Sequence, residues 1–319
     1  MSVKTLLPDL ISEEPRQGGT LYKFALAGTT AWIVEPDEPL AEKKWFWVPE
    51  WPDAFLHRNG VNELLELGYY MIHIHVLGMC GNPEAVEIMK KMYDFIRTLG
   101  FARKGALIGM SLGGLYSFRY AATYPETVAC IYADAPACDL GYRVRISRAD
   151  AVEISQAYGE GDNVQAMFDH PLSPVNNFQP MIDAGIPLLL LLGLNDLAGT
   201  TDPVETVADR YIRLLDGLRD RGFELYVLLN PPKVASSWIP KYTTNQDFGN
   251  RLIDAFVTQL TARLEQSGYA YIDTHTALSN EKGYLPDDWC RDGYVHINDT
   301  ASAVLAETVC EYLKQKPAE

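Results

Sequence analysis

Short runs of β-branched and aromatic residues alternate along this chain with longer amphipathic stretches, and this alternation constrains the fold more than any other feature. The apolar runs are continuous, which is typical of parallel strands that are covered on both faces. Strand–helix–strand units of this kind predict an α/β fold with a mostly parallel sheet and helices on both faces. The first two predicted strands are close in sequence and are expected to form an antiparallel hairpin at the sheet edge.

The pattern assigns most of the chain to strands and helices. The predicted strands are residues 22–27, 31–35, 45–48, 69–76, 105–108, 128–133, 187–192, 225–229 and 269–273. The predicted helices are residues 61–67, 83–99, 112–124, 204–221, 250–268 and 300–315. Residues 139–185 lack a strong strand pattern, so we expect a helical insertion there that forms a lid. No linker or repeat divides the sequence, which favours a single domain over residues 1–319.

The charge balance excludes several classes of partner. The 319 residues include 27 Lys and Arg against 42 Asp and Glu, a net charge of −15. A surface this acidic repels phosphate backbones and anionic lipid headgroups, so we expect binding neither to nucleic acid nor to a membrane. The longest apolar run, residues 186–192, contains Pro187 and is too short to span a bilayer. The N-terminus resembles neither a signal nor a transit peptide, which favours a cytoplasmic protein.

A glycine-rich turn with a serine at its centre follows the predicted strand 105–108. The sequence GMSLG, residues 109–113, is a G-x-S-x-G pattern, and Gly114 comes directly after it. A serine on such a turn has strained backbone dihedral angles, and side chains at the glycine positions would collide with the neighbouring strand and helix. The pattern predicts Ser111 as a nucleophile whose oxyanion is stabilised by N–H groups of the following helix. The alternative is a turn in which Ser111 only caps the helix.

The segment ALIGMSLGGLYSFRYAATYPETVACIYADAP resembles the nucleophile elbow, following helix and next strand of the α/β-hydrolases. The similarity extends over about residues 20–200 and implies an α/β-hydrolase-like fold. It also implies Ser111 as the nucleophile and the backbone N–H of Leu112 as one oxyanion donor. In that family the second donor comes from the loop after the third strand, which corresponds to Glu50 or Trp51 here. This loop, VPEWP, lacks the His-Gly pair that is common in the family.

The general base is expected to be a histidine, because the attacking serine needs a group that accepts its proton. His296 lies in the sequence DGYVHIND, in a loop that leads into the last predicted helix. His275, which follows the predicted strand 269–273, is the alternative. An α/β-hydrolase carries its base in the loop directly after the strand that corresponds to residues 225–229. The stretch that comes directly after residue 229 here, NPPK and the residues that follow it, contains no histidine. We therefore favour His296.

The carboxyl half, from about residue 187, resembles a second family, the SGNH or GDSL-type esterases. The block GLND is similar to that family's G-x-N-D block, and Asp292 and His296 resemble its D-x-x-H with one extra residue between them. This resemblance implies Asn195 as an oxyanion donor and Asp292 as the acid. In the α/β-hydrolase interpretation the acid is Asp196, which directly follows a buried strand. We favour Asp196 and keep Asp292 as the alternative; the family's opening Gly-Asp-Ser block does not occur in this sequence.

These patterns predict a serine hydrolase that cleaves carboxylic esters through an acyl-enzyme on Ser111. Two alternatives remain, namely thioesterase or peptidase activity with the same machinery, and a catalytically inactive α/β-hydrolase-like binding protein. We expect a small-molecule ester as the substrate, and the sequence does not indicate an oligomeric state. No cofactor or metal is expected, because no phosphate-binding loop is present and His73 and His75 lack a third nearby ligand.

Overall fold

A computed structural model of the chain describes residues 2–57, 59–146, 151–191, 197, 202–222, 225–235, 249–291 and 297–315. The chain folds into two compact units, the first ending at Leu188 and the second beginning at Leu189. A membrane-spanning helix would need a longer and more apolar stretch than any helix in the described residues provides.

The described elements follow the order predicted from the sequence. The strands of the first unit are β1 (Leu10–Arg16), β2 (Gly19–Leu26), β3 (Thr29–Pro36), β4 (Trp45–Trp47), β5 (Tyr70–Ile74), β6 (Gly105–Met110) and β7 (Val128–Asp134). Its helices are α1 (Val61–Glu66), α2 (Pro83–Thr98), α3 (Leu112–Thr123), α4 (Leu140–Ile146), α5 (Ala151–Ala157) and α6 (Gln179–Asp183). Strand β8 (Leu188–Leu191) starts at the last residue of the first unit and continues into the second, which also contains α7 (Val204–Arg219), β9 (Val227–Leu228), α8 (Asn250–Gln266), β10 (Tyr271–Ile272), α9 (Thr274–Ala277) and α10 (Asp299–Lys314). Short 3-10 helices occupy Val3–Leu6, Pro125–Thr127, Val164–Asp169, Pro174–Asn176 and Asp287–Trp289.

The strands of the first unit form a sheet with parallel and antiparallel parts. Their order is β1-β2-β3-β5-β4-β6-β7. Strands β5, β4, β6 and β7 are parallel, whereas β1, β2 and β3 pair antiparallel with one another and β3 pairs antiparallel with β5. In the second unit, β8, β9 and β10 pair in parallel. The prediction of a mostly parallel sheet is confirmed.

Helices cover both faces of the sheet in the first unit, as the sequence predicts. On one face, Trp45 of β4 contacts Tyr93 of α2 and Trp47 contacts Tyr120 of α3, with ring centroids 6.1 and 5.3 Å apart. Phe46 points to the opposite face, because side chains alternate along a strand. There it belongs to a separate apolar cluster that includes residues of α1. Both faces of β4 are buried, which explains its continuous apolar sequence.

The edge of this sheet differs from the prediction. Strands β2 and β3 form the expected antiparallel hairpin, but β1 pairs with the outer side of β2 and is the edge strand. Strand β1 is not among the strands predicted from the sequence. Its side chains are exposed or half-buried, and the adjacent Glu13 and Glu14 interrupt any apolar pattern. Charged residues on an edge strand prevent pairing with other chains, and they also remove the sequence signal of a strand.

The segment predicted as a helical insertion, residues 139–185, is helical over most of its described length. Its buried side chains, among them Leu140 and Ile154, form one apolar cluster with Leu115 of α3, and Leu112 packs against the same cluster. The insertion therefore lies against the beginning of α3. Its role as a lid remains a prediction.

Candidate active site

Ser111 forms the turn between β6, which ends at Met110, and α3, which begins at Leu112. Its backbone has φ 51° and ψ −119°, a conformation that costs a non-glycine residue on the order of 1–3 kcal/mol. Backbone hydrogen bonds hold this conformation. The Ser111 N–H donates to the carbonyl of Asp134 at 2.9 Å, and the Ser111 carbonyl accepts from the N–H groups of Gly114 at 3.0 Å and Ala137 at 2.8 Å. Hydrogen bonds to β7, to the segment after it and to α3 therefore hold Ser111 in its strained conformation.

The side chain of Ser111 is available for chemistry. It is exposed, and it makes no capping hydrogen bond to α3 in the described part of the chain. A capping serine would accept a hydrogen bond from the second or third N–H group of the helix, so the geometry disfavours the capping alternative. The first N–H groups of a helix have no acceptor within the helix. The N–H of Leu112 therefore begins a set of donors beside Ser111.

The glycines around Ser111 are required because the backbone at these positions lies very close to neighbouring segments. A Cβ added to Gly109 would be 2.7 Å from the Cα of Gly114, and a Cβ added to Gly114 would be 2.2 Å from the Cβ of Pro136. Both distances are shorter than any real carbon–carbon contact allows. The G-x-S-x-G-G pattern thus permits α3 to begin directly against β6 and the segment after β7.

The loop after β4, residues 48–53, is called the β4 loop below, and a histidine anchors its start. His73 on β5 is buried and hydrogen-bonds through Nδ1 to the carbonyl of Val48 at 2.8 Å. Burial lowers the pKa of His73 to about 4, so the ring is uncharged at neutral pH and Nδ1 donates to this carbonyl. The ring also packs on Trp32, with centroids 5.0 Å apart. These contacts give His73 a structural role.

An arginine on the edge strand anchors the end of the β4 loop. Arg16 of β1 donates from Nη2 to the carbonyl of Pro52 at 2.9 Å, and the same nitrogen lies 3.0 Å from Asp53 Oδ1. The Arg16 side chain is 9% exposed, whereas that of Asp53 is 67% exposed. The bond to the Pro52 carbonyl is therefore the better shielded of the two, and the sheet sets the position of the loop at both ends.

The middle of the β4 loop lies against the first turn of α3. A Cβ added to Gly113 would be 3.3 Å from the Cβ of Glu50 and 3.7 Å from its backbone nitrogen. Trp51, the next residue, has a positive φ of 56°, and 46% of the residue is exposed. The structure thus brings the loop segment with both predicted second oxyanion donors to the end of α3 that carries Ser111.

The side chain of Glu50 is a feature that sequence reasoning missed. Only 3% of the residue is exposed, and its Oε1 atom is buried without a hydrogen-bond partner in the described residues. Burial raises the pKa of its carboxyl group to about 7. Glutamate is almost never fully buried without a partner, so the sequence predicts an exposed side chain here.

His275, the alternative base, is held by other groups in the second unit. Its Nδ1 atom lies 2.7 Å from the carbonyl of Asn230, and its Nε2 atom lies 3.4 Å from Asp254 Oδ1. Both ring nitrogens therefore face acceptors. This arrangement favours a structural role for His275, because a general base needs one nitrogen with a free lone pair.

His73 and His75 lie in different surroundings. His73 is buried and bonded as described, whereas His75 follows β5 and is exposed. Within the described ranges, no group of three or more His, Cys, Asp or Glu side chains could hold a metal ion.

The remaining predicted site residues belong to the second unit. Those that lie outside the described residues are Asn195, Asp196, Asp292 and His296. Ile297, which follows His296, is buried and pairs with Cys290 in an antiparallel bridge.

Comparison with known families gives a match to the GDSL-like lipase/acylhydrolase family over residues 125–304, more than half of the chain. The match begins well before residue 187, the predicted start of this resemblance. It begins after Ser111 but includes His296 and the predicted acids. No curated protein matches this chain.

Several solved hydrolase structures are weakly similar to this chain. FphF, a fluorophosphonate-binding serine hydrolase of Staphylococcus aureus, is 10% identical with a TM-score of 0.45, over 68% of this chain and 89% of that chain. The S-formylglutathione hydrolase of Agrobacterium tumefaciens is 13% identical with a TM-score of 0.43, over 80% and 99%. The acylaminoacyl peptidase of Pyrococcus horikoshii is 18% identical with a TM-score of 0.47, over 68% of this chain but 36% of the peptidase. Because these TM-scores are low, none of the likenesses identifies a function or a site.

Proposed function

Since the chain belongs to the GDSL-like lipase/acylhydrolase family and is a hydrolase that acts on esters, we propose that it cleaves carboxylic esters through an acyl-enzyme on Ser111. The backbone of Ser111 is the observation that supports this proposal most. An exposed serine with φ 51° and ψ −119° between a buried strand and a helix is costly to fold. Such strain is typical of a residue whose position serves a reaction.

The reaction proceeds in two halves. Ser111 Oγ bonds to the ester carbonyl carbon while its proton passes to the imidazole of His296, and the carbonyl electron pair moves onto oxygen. Collapse of this tetrahedral oxyanion breaks the bond to the alcohol oxygen, which takes the proton from the imidazolium. Water then attacks the acyl-enzyme by the same route, which releases the carboxylic acid and restores Ser111.

The oxyanion needs donors that are already in place. The N–H of Leu112, in the first turn of α3, is the first donor. The β4 loop supplies the second from the backbone of Glu50 or Trp51, because the loop lies against α3 and is anchored at both ends. In the SGNH-like arrangement the side chain of Asn195 takes this second role.

An acidic side chain orients the imidazole of His296 and stabilises its protonated form. We favour Asp196 over Asp292, because Asp196 comes only five positions along the sequence after β8, and a triad acid needs a fixed position. Both lie within the residues that match the family.

The surroundings of Ser111 favour an ester with an apolar acyl or alcohol group. Leu112 and Ala137 pack against the apolar cluster of the helical insertion, so the surface beside Ser111 is apolar on that side. A net charge of −15 disfavours strongly anionic substrates. A small, uncharged ester therefore fits best.

Labelling with a fluorophosphonate probe, which modifies an activated serine, tests the nucleophile. We expect the wild-type chain to be labelled, Ser111→Ala to remain unlabelled, and Ser267→Ala, a matched change at the C-terminus of α8, to be labelled like the wild type. Hydrolysis of a short-chain p-nitrophenyl ester should fall by several powers of ten in Ser111→Ala. Retention of about a tenth of the activity would place the nucleophile elsewhere, for example within the residues that match the family.

Asparagine substitutions test the acid, because asparagine keeps the shape of aspartate but cannot stabilise the imidazolium. Loss of a triad carboxylate can lower turnover by about four powers of ten. We expect Asp196→Asn to show the larger loss and Asp292→Asn to lose less than about a hundredfold. The reverse order, together with a large loss in Asn195→Ala, would indicate the SGNH arrangement instead.

The substrate bond is tested by comparing an ester, a thioester and an amide with the same acyl group. All three substrates form the same acyl-enzyme, so a difference in kcat/KM between them reflects the bond to the leaving group. We expect the ester to have the highest value, and a higher value for the thioester or amide would favour the alternative activities.

A further inference from the structure

Glu50 carries a buried carboxyl group that the proposed steps of ester hydrolysis do not use. The residue is 3% exposed, and its Oε1 atom is buried without a hydrogen bond in the described residues. A buried carboxylate that lacks a partner is strongly unfavourable. The site therefore suits the neutral, protonated form of this side chain.

Glu50 lies beside the N–H groups that are proposed to bind the oxyanion. Its Cβ is 3.3 Å and its backbone oxygen 3.7 Å from the point where a Cβ on Gly113 would lie. Gly113 is in the first turn of α3, next to Leu112, the first proposed donor. The positive end of the helix dipole acts within this first turn, so a charge on Glu50 would act on the same N–H groups as the oxyanion.

The ionisable group of α3 that faces Glu50 is Tyr116. Its hydroxyl donates to the carbonyl of Val76 at 2.7 Å. Burial, and then the charges of Glu50 and Cys80, raise the pKa of Tyr116 well above its usual range. Tyr116 is thus neutral at the pH of interest and supplies no positive charge to Glu50.

Among the described residues, the other ionisable groups around the β4 loop, His73 and Arg16, also supply no cation to Glu50. His73 on β5 is uncharged and bonded to the loop backbone. The charge of Arg16 on β1 is paired with Asp53. Burial is the cause of the raised pKa of Glu50, which agrees with the lack of a positive neighbour among the described residues.

We propose that Glu50 is a positioning residue of the ester-hydrolysing site, which holds the β4 loop against α3 while its carboxyl group is protonated, and that hydrolysis slows when this proton is lost. The inference rests on the proposed function, in which the oxyanion forms at this end of α3. A carboxylate here would weaken the positive potential that the oxyanion needs, and it would push the loop away from the helix. Both effects act on the transition state more than on substrate binding, so kcat falls while KM changes little.

The pH dependence of kcat tests this inference. We would measure hydrolysis of a short-chain p-nitrophenyl ester from about pH 5 to about pH 9 and subtract spontaneous hydrolysis. Since the pKa of Glu50 is about 7, the protonated fraction two pH units higher is about 1%, and kcat should fall up to about a hundredfold. The fall should be absent from Glu50→Gln when each profile is scaled to its own maximum. It should persist in Glu38→Gln, which changes an exposed glutamate.

A fall in kcat that Glu50→Gln retains, or a wild-type profile without a fall, would overturn the inference. If Glu50→Gln does not fold, Glu50→Met offers a second uncharged side chain of similar size with the same expected profile. Failure of the inference about Glu50 can be distinguished from failure of the proposed function. Full activity in Ser111→Ala would show that the nucleophile is wrong, whereas an inactive Ser111→Ala with an unchanged Glu50→Gln profile would contradict only the role of Glu50.

Discussion

Gly114 and Pro136 approach so closely that a Cβ on Gly114 would lie 2.2 Å from the Cβ of Pro136. Gly114→Ala should therefore force α3 away from the segment after β7 and destabilise the protein by about 1–3 kcal/mol. Activity should fall as well, because α3 carries Leu112. Denaturant unfolding and ester hydrolysis measure the two effects.

Gly217→Ala is the matched control for this change. Gly217 also lies inside a helix, α7, but a Cβ there would meet only the end of the Arg221 side chain at 3.2 Å. Alanine should stabilise this helix by up to about 1 kcal/mol. Equal stability losses in the two alanine variants would contradict the close-approach argument.

Arg16→Met should release the end of the β4 loop while keeping the apolar stem of the side chain. Because a small displacement of an oxyanion donor is costly, we expect kcat to fall about tenfold or more. Asp53→Asn removes only the exposed ion pair and leaves the bond to the Pro52 carbonyl, so its effect should be below about twofold. Similar losses in both variants would mean that the ion pair, and not the backbone bond, holds the loop.

The raised pKa of Glu50 also predicts a pH-dependent stability. In the unfolded chain a glutamate has a pKa near its ordinary value of about 4.3, whereas burial raises it to about 7 in the folded protein. The folded state therefore holds this proton more tightly, and its stability should decrease as the pH rises from about 4 to about 7. Glu50→Gln should remove this decrease and be more stable than the wild type at pH 8 by up to about 3–4 kcal/mol. Urea unfolding at pH 5 and pH 8 measures the difference.

His296→Ala should lower turnover as severely as Ser111→Ala, because nucleophile and base act as a unit. His275→Ala should retain turnover within about tenfold at a temperature where it is folded, since its hydrogen bond to the Asn230 carbonyl and its contact with Asp254 give it a structural role. A larger loss in His275→Ala than in His296→Ala would move the base to α9, the short helix after β10.

Ser111→Gly should stabilise the protein while abolishing hydrolysis. Glycine adopts positive φ without steric cost, so the strain at this position would be relieved, with a gain of about 1 kcal/mol or more. Ser111→Ala keeps the strain and should unfold at nearly the wild-type temperature. A thermal melt of the three proteins checks the order.

Element order and the parallel sheet could be predicted because they depend on local patterns. Helix α2 shows this, since Pro83 is its first residue and its apolar residues Met89 and Ile96 are buried. Its N-terminus is capped by Asn82, whose side chain accepts from the N–H of Ala85 at 2.8 Å. The strained turn at Ser111 is also local, because the glycines that permit it are its sequence neighbours.

The parts that could not be predicted depend on contacts between distant residues. Arg16 anchors Pro52 across 36 positions of sequence, and no pattern around either residue indicates this bond. The burial of Glu50 depends on the packing of the β4 loop against Gly113, which the sequence VPEWP does not reveal. Strand β1 forms because β2 offers it a partner, not because its own side chains have an apolar period.

The strained backbone of Ser111 has a consequence for directed evolution. Variants selected only for heat resistance are expected to accumulate glycine at position 111, because this exchange relieves a local conformational penalty. The selected variants would become more thermostable and lose their catalytic activity through the same substitution. A thermostability screen of this protein therefore has to read out ester turnover in every round.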